Sequence, residues 1–205
     1  MQEDMVYTKT NLIAAKATLE LSTNGFELLD KKRNVLIMSM MGFIDKAEDL
    51  QNRVTVVFEE AYVALKTANI TMGITNVDQI AQSIPEAQAF NILDRSIMGV
   101  EIPEIERGKL NMEQYYSFFH SDTALDVAFM KFHEVKELLF ELSEIEDSVY
   151  KLAMEVKRTQ RRANALQNIQ IPKYKGIVRA ISEVLEERER EDFFRLKVVK
   201  KKHGK

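Results

Sequence analysis

The sequence predicts an all-α protein: a long antiparallel two-helix coiled coil formed by the N- and C-terminal helices, with a short helix and a small β-hairpin in the middle segment. Three observations carry this reading. The 205 residues include only 3 prolines and 7 glycines, too few for a fold with many turns. The prolines stand at 85, 103 and 172, which leaves residues 1–84 and 104–171 free of them. Apolar residues recur along both stretches, and from Val135 to Leu166 they alternate steps of three and four without a miss, the repeat of a coiled-coil seam. The expected organisation is a helix over 1–70, a middle segment over 71–120, and a second helix with a basic tail over 121–205.

The first helix shows Leu12, Leu19, Phe26, Leu29, Leu36, Met40, Ile44, Ala47, Val54, Phe58, Ala61, Leu65 and Ala68. The consecutive steps of four at Leu36, Met40 and Ile44 read as a stutter that locally relaxes the supercoil. In the middle segment, Thr75 or Asn76 is placed to cap a short helix running to Ile84, and Pro85 to end it. Phe90–Met98 and Val100–Ile102 flank Gly99 and alternate apolar with polar, as a hairpin does. Pro103 suits an edge position, where no ladder donor is needed. Asp122 has the character of an N-cap for the second long helix.

That helix carries the cleaner stripe: Val135, Leu138, Leu142, Ile145, Val149, Leu152, Val156, Thr159, Ala163 and Leu166, then more loosely Ile177, Ile181 and Val184. At Pro172 a bend is expected rather than a break. Proline removes one helical bond and presses on the carbonyl of Asn168, at about 3 kcal/mol, while the apolar pattern resumes beyond it. Helices of these lengths would span roughly 90 Å and over about 110 Å, a rod. If Ala68 lies opposite Ala124, apolar residues face each other along the seam, as in Leu138 with Val54 and Ala163 with Leu29, and Thr159 faces Arg33 in a polar layer of the kind that fixes register.

Composition narrows the function. Lys plus Arg number 29 and Asp plus Glu 32, a net charge of -3 that disfavours bulk attraction to nucleic acid. The charges are segregated: residues 122–147 hold eight acids and two bases, and residues 151–179 eight bases and one acid. With no cysteine, disulfides and thiolate chemistry are excluded. No secretory signal is visible and no stretch is long and apolar enough to span a membrane, so a cytoplasmic location is expected. Gly108-Lys109-Leu110 fails as a phosphate loop at both the glycines and the hydroxyl. His133-Glu134 with Glu137 is half of a zinc motif, without the second histidine. The expectation is no catalytic residue, no cofactor, no metal and no nucleotide site.

Three blocks are more specific than a generic coiled coil. They are Thr8-Lys9-Thr10-Asn11-Leu12 with Leu28–Ile37, then Ile97-Met98-Gly99-Val100-Glu101-Ile102-Pro103, and finally Arg161-Arg162-Ala163-Asn164-Ala165-Leu166 with Ile171-Pro172 and Glu189–Lys197. In this order and spacing the chain resembles the D-subunit family of V-type and archaeal-type rotary ATPases over roughly residues 8–202. After Leu12 it is less basic than the family often is, with one lysine in Ile13–Thr18.

The resemblance implies a non-catalytic rotor shaft of a complex that couples ATP synthesis or hydrolysis to proton or sodium transport. Its implied partners are the catalytic A and B subunits, the F subunit of the central stalk and the socket subunit on the membrane rotor ring, so the chain would be peripheral to the membrane. Arg190, Phe193, Phe194, Arg195 and Lys197 would form the tip inserted into the catalytic ring, and Ile97, Met98, Gly99, Val100 and Pro103 a hairpin at the foot. The register places Lys31, Lys32 and Arg33 level with Arg158, Arg161 and Arg162, a basic collar facing the stator. A prefoldin-like chaperone and a generic coiled-coil scaffold are the alternatives.

Overall fold

A computed structural model describes residues 7–84, 90–106, 116–117 and 121–203. The elements are α1 (Lys9–Met72), α2 (Ile74–Ser83), β1 (Asn91–Ile97), β2 (Val100–Glu106), α3 (Thr123–Ala165), a five-residue π turn (Leu166–Gln170) and α4 (Ile171–His203). The N- and C-terminal helices pack together, with the short helix and an antiparallel two-stranded hairpin between them in sequence. Pro85, the expected stop of the short helix, lies outside the described residues, as do Gly108 and Lys109. The chain divides into two units, residues 1–35 with 156–205, and residues 36–155.

In the first unit, α1 starts at Thr8, whose Oγ1 accepts from the Asn11 amide and whose carbonyl accepts from that of Leu12. This satisfies donors that a helix start leaves open. The seam holds small residues, with Ala15, Ser22, Thr159 and Ala163 buried. A Cβ added at Gly25 would lie 3.6 Å from the Leu166 side chain, an ordinary contact. Ser22 Oγ donates to its own helix at the Thr18 carbonyl, so its burial leaves no orphan hydroxyl.

The helix continues through Pro172 by way of a π turn. The Ile171 amide donates to the Leu166 carbonyl five residues back. A wider turn eases the pressure of a proline ring on the carbonyl before it. It also sets phase. The seam steps from Leu166 to Ile171, then to Tyr174, Ile177–Val178 and the buried Ile181, while Gln170 and Lys173 are exposed. An uninterrupted α-helix would have aimed Gln170 and Lys173 into the seam. The extra residue in the π turn keeps them out.

In the second unit, Leu50, Leu138 and Ile145 form a core with Phe43, Ala47, Val54, Val57, Leu142 and Val149 around it. Leu36, Leu152 and Ser148 are also fully buried, and Ser148 Oγ donates to the Glu144 carbonyl. The stutter expected at Leu36, Met40 and Ile44 does not occur. Phe43 takes the inward position and Ile44 is exposed. The step from Met40 to Phe43 preserves the 3.5-residue repeat, whereas Ile44 sits about 100° further round the helix.

Beyond Leu65, a second cluster joins Ala68, Val77 and Leu125 with Met72, Ile80, Tyr116 and Ala124, so α2 folds back over this part of the pair. The reversal hinges on Gly73, whose φ of 85° lies in the left-handed region that suits glycine. This corrects the expected cap. Gly73, not Thr75 or Asn76, precedes the first residue of α2, because the Asn76 side chain donates instead to the Met72 carbonyl at the end of α1. Asp122 stands immediately before α3, and its carbonyl accepts from the amides of Leu125 and Asp126.

Candidate interaction surfaces

Four of the six collar residues, Lys31, Arg158, Arg161 and Arg162, are exposed, and Lys32 is half-buried. Arg33 behaves differently. Its Nη1 donates to Gln160 Oε1 at 2.6 Å across the helix pair, and its Nη2 lies 2.6 Å from Asp30 Oδ1 and 3.2 Å from Asn34 Oδ1. The Nε is buried without a partner. The guanidinium is therefore largely spent inside the molecule, and through Gln160, the residue after the buried Thr159, it pins α1 to the opposing helix at this level. The Arg33–Gln160 contact matches the register expected from the seam. In the second unit so does Glu60–Lys131 at 2.7 Å, where hydrogen bonds donated by Lys131 to Glu60 and then to Glu134 raise the pKa of Lys131.

The C-terminal candidates all lie exposed on α4. Arg190 pairs with Glu186 and Glu187 on its own helix at 3.9 and 3.6 Å, and Arg195 with Glu191 and Asp192, both at 3.5 Å. Phe193, Phe194, Leu196, Val198 and Val199 are exposed beside them. Nearby, Lys9 meets Glu189 at 2.9 Å and Arg188 donates to the Tyr7 carbonyl.

The hairpin pairs Asn91–Ile97 with Val100–Glu106, with Asp94 opposite Pro103 and Ile97 opposite Val100. Met98 and Gly99 close it at φ of 52° and 79°, the two positive angles of a type I′ turn. Val100, Ile102 and Pro103 are buried. The hairpin leans on the flank of α3: the Phe90 and Phe140 rings are 5.4 Å apart, and the Ile105 amide donates to Glu144 Oε2 at 3.4 Å. Nothing in the sequence marks out Phe140 or Glu144, which look like ordinary positions of an amphipathic helix.

Two further features are not evident from the sequence. Phe58, Tyr62 and Phe132 form an aromatic cluster across α1 and α3, with ring centroids 5.0 to 6.3 Å apart. The i, i+4 spacing of Phe58 and Tyr62 is the one signal that could have found it. Tyr116 donates to Asp126 Oδ1 at 2.6 Å, and burial followed by that bond pushes its pKa up to about 12.

His133 Nδ1 lies 4.0 Å from Glu137, and among the described residues no three His, Asp or Glu side chains converge as a metal site would. Among those residues, too, no helix is long and apolar enough to cross a membrane.

Comparison with known proteins fits these surfaces into a lineage. The family model for the D subunit of ATP synthase matches residues 11–201. The chain is 43% identical to the V-type ATP synthase D subunit of Thermotoga neapolitana, over 95% of this chain and 96% of the relative. It is 36% identical to the A-type ATP synthase D subunit of Pyrococcus furiosus, covering 94% and 92%. For that of Methanopyrus kandleri the figures are 34%, 97% and 86%. A match along both long helices and the hairpin, at these identities, means that the chain belongs to the D-subunit family of ATP synthases.

Proposed function

We propose that this chain is the central rotor shaft of a V/A-type ATPase, carrying torque between the catalytic A/B ring and the ion-translocating membrane rotor. It would itself bind no nucleotide and perform no bond chemistry. The α4 tip around Phe193, Phe194, Arg195 and Lys197 would sit in the catalytic ring, and the middle segment would meet the F subunit and the socket subunit, on the cytoplasmic face of the membrane. The supporting observation is the pairing of the terminal helices by a buried seam and the Arg33–Gln160 pin, beside which Arg158, Arg161 and Arg162 stand exposed. A shaft needs its two strands locked to each other and only weak contacts to its housing. Exposed ion pairs, worth about 0–1 kcal/mol each, can be exchanged as it turns.

Rotation is testable directly. The chain has no cysteine, so Met98→Cys gives a unique handle for a bead. In the assembled complex ATP should turn the bead in one direction, and a bead that stays still sinks the shaft reading. Replacing Arg158, Arg161 and Arg162 together by Gln should spare folding, weaken binding to the catalytic ring and flatten its salt dependence. Unchanged affinity and salt slope would reduce the collar to a solvated surface.

A further inference from the structure

The two edges of the hairpin are unlike. In an antiparallel pair, residues alternate between bonding their neighbour strand and pointing their amides and carbonyls away from it. Two observations fix which is which. The Ile105 amide points outward, since it donates to Glu144, and Pro103, two residues earlier, has no amide to offer. Their partners Ile92 and Asp94, and by the same alternation Ser96, must turn their backbone groups away from β2.

The outer edge of β2 is thus closed, blunted by Pro103 and held by Glu144 against α3. The outer edge of β1 is open. Among the described residues, the outward amides and carbonyls of Ile92, Asp94 and Ser96 have no hydrogen-bond partner, and Asn91–Ser96 are all exposed. Edges left unprotected in this way are templates for another strand, and proteins usually blunt them with proline, a bulge or lysine. Here β2 carries the proline, whereas β1 has no proline, bulge or lysine and its two charges, Asp94 and Arg95, are of opposite sign. Ile92 and Leu93, on opposite faces of β1, are both more than half exposed.

We propose that the outer edge of β1 is the docking site for an extended segment of a partner protein, which adds to the hairpin as a third strand and alternates apolar with basic side chains. The main-chain ladder of Ile92, Asp94 and Ser96 supplies the binding, and side chains of the incoming strand cover Ile92 on one face and Leu93 on the other. The basic character follows from the surroundings. Residues 91–106 carry Asp94, Glu101, Glu104 and Glu106 against Arg95 alone, and the helix on which the hairpin leans is acidic over residues 122–147. A basic side chain opposite Asp94 would be favoured and an acidic one opposed. None of this depends on the shaft reading, since the edge is a property of the hairpin in any assembly.

Amide hydrogen exchange on the full-length chain tests the proposal. Alone, the amides of Leu93, Arg95 and Ile97 should be protected by β2, and those of Ile92, Asp94 and Ser96 should exchange freely. A synthetic octapeptide alternating lysine and valine should slow the second set about tenfold, as should assembly into the native complex, whereas a glutamate–valine peptide should not. Asp94→Pro removes one outward donor and places a ring in the path of the strand, so it should abolish the peptide effect while the Leu93 and Arg95 amides stay protected. Should that variant disturb the hairpin, Asp94→Lys leaves the backbone intact and should still repel the lysine peptide. Equal protection by both peptides would overturn the basic partner. Unprotected Ile92, Asp94 and Ser96 amides with the peptide and in the native complex would overturn the strand addition itself, even with Ile92 and Leu93 covered.

Discussion

Met98→Gly should make the hairpin more stable, although it deletes a large apolar side chain. Met98 holds φ at 52° and is 52% exposed. A side-chain-bearing residue in the left-handed region costs about 1–2 kcal/mol relative to glycine. Glycine returns roughly 0.5–1 kcal/mol of that through its greater freedom in the open chain. The exposed side chain has little packing to lose, so a net gain of about 0.5–1 kcal/mol remains, which slows hairpin opening about two- to fivefold. Hydrogen exchange at the Arg95, Ile97 and Val100 amides of the free chain reads that opening directly. Asn at the same position, which tolerates this region, should act in the same direction. Exchange that is unchanged or faster in Met98→Gly would refute the reasoning, by showing that the methionine packs better than its exposure implies. If the gain is found, the residue is held at a local cost in stability, as strained residues at contact sites often are.

Leu152→Ala removes a fully buried seam residue and should cost about 2–5 kcal/mol, seen as a lower Tm, whereas Leu28→Ala at an exposed position of α1 should shift it hardly at all. Pro172→Ala should leave the π turn in place, because the inward positions of Ile171, Tyr174 and Ile181 demand its extra residue. A structure of the variant with a regular α-helix through 166–170 would show that the proline alone enforced it. Tyr116, with its pKa raised from 10 to about 12, contributes stability that is complete below pH 10 and fades as pH climbs towards 12. The difference in phenolate absorbance between the native chain and Tyr116→Phe should therefore titrate near 12, and a midpoint near 10 would mean that the Asp126 bond is not kept in solution.

The second long helix is legible in the sequence because its seam is written in large apolar residues from Val135 to Val156. The first is harder to read. Its innermost positions near the start are Ala15 and Ser22, whose size suits close approach but gives no hydrophobic signal. Hydropathy cannot choose between neighbours such as Phe43 and Ile44, and only phase relative to the partner helix decides which one turns inward. Asn76 misleads for a related reason: its side chain has two helix ends in reach and bonds the earlier one. Local alternation announces the hairpin, but where it leans depends on Phe140 and Glu144, contacts about forty to fifty residues away along the chain that no local pattern encodes. Arg33 joins the collar by charge alone, and its bonds to Asp30 and Gln160 emerge only once the helices are side by side.

The π turn has a consequence for how this molecule tolerates changes of length. Losing one residue from a paired helix normally rotates everything beyond it by about 100° and exposes the whole following face. Here the seam already absorbs one surplus residue between Leu166 and Ile171, so the loss of a single exposed residue such as Ile169 would leave Ile171, Tyr174 and Ile181 facing inward. The helix would then close into regular α geometry, and Pro172 would clash with the turn before it at about 3 kcal/mol. A chain shortened in this way would keep the same inner face but carry that cost until the proline was also replaced. Chain length here and the residue at 172 are therefore coupled in energy in one direction: the proline can be replaced with the turn kept, but the turn cannot be closed cheaply with the proline kept.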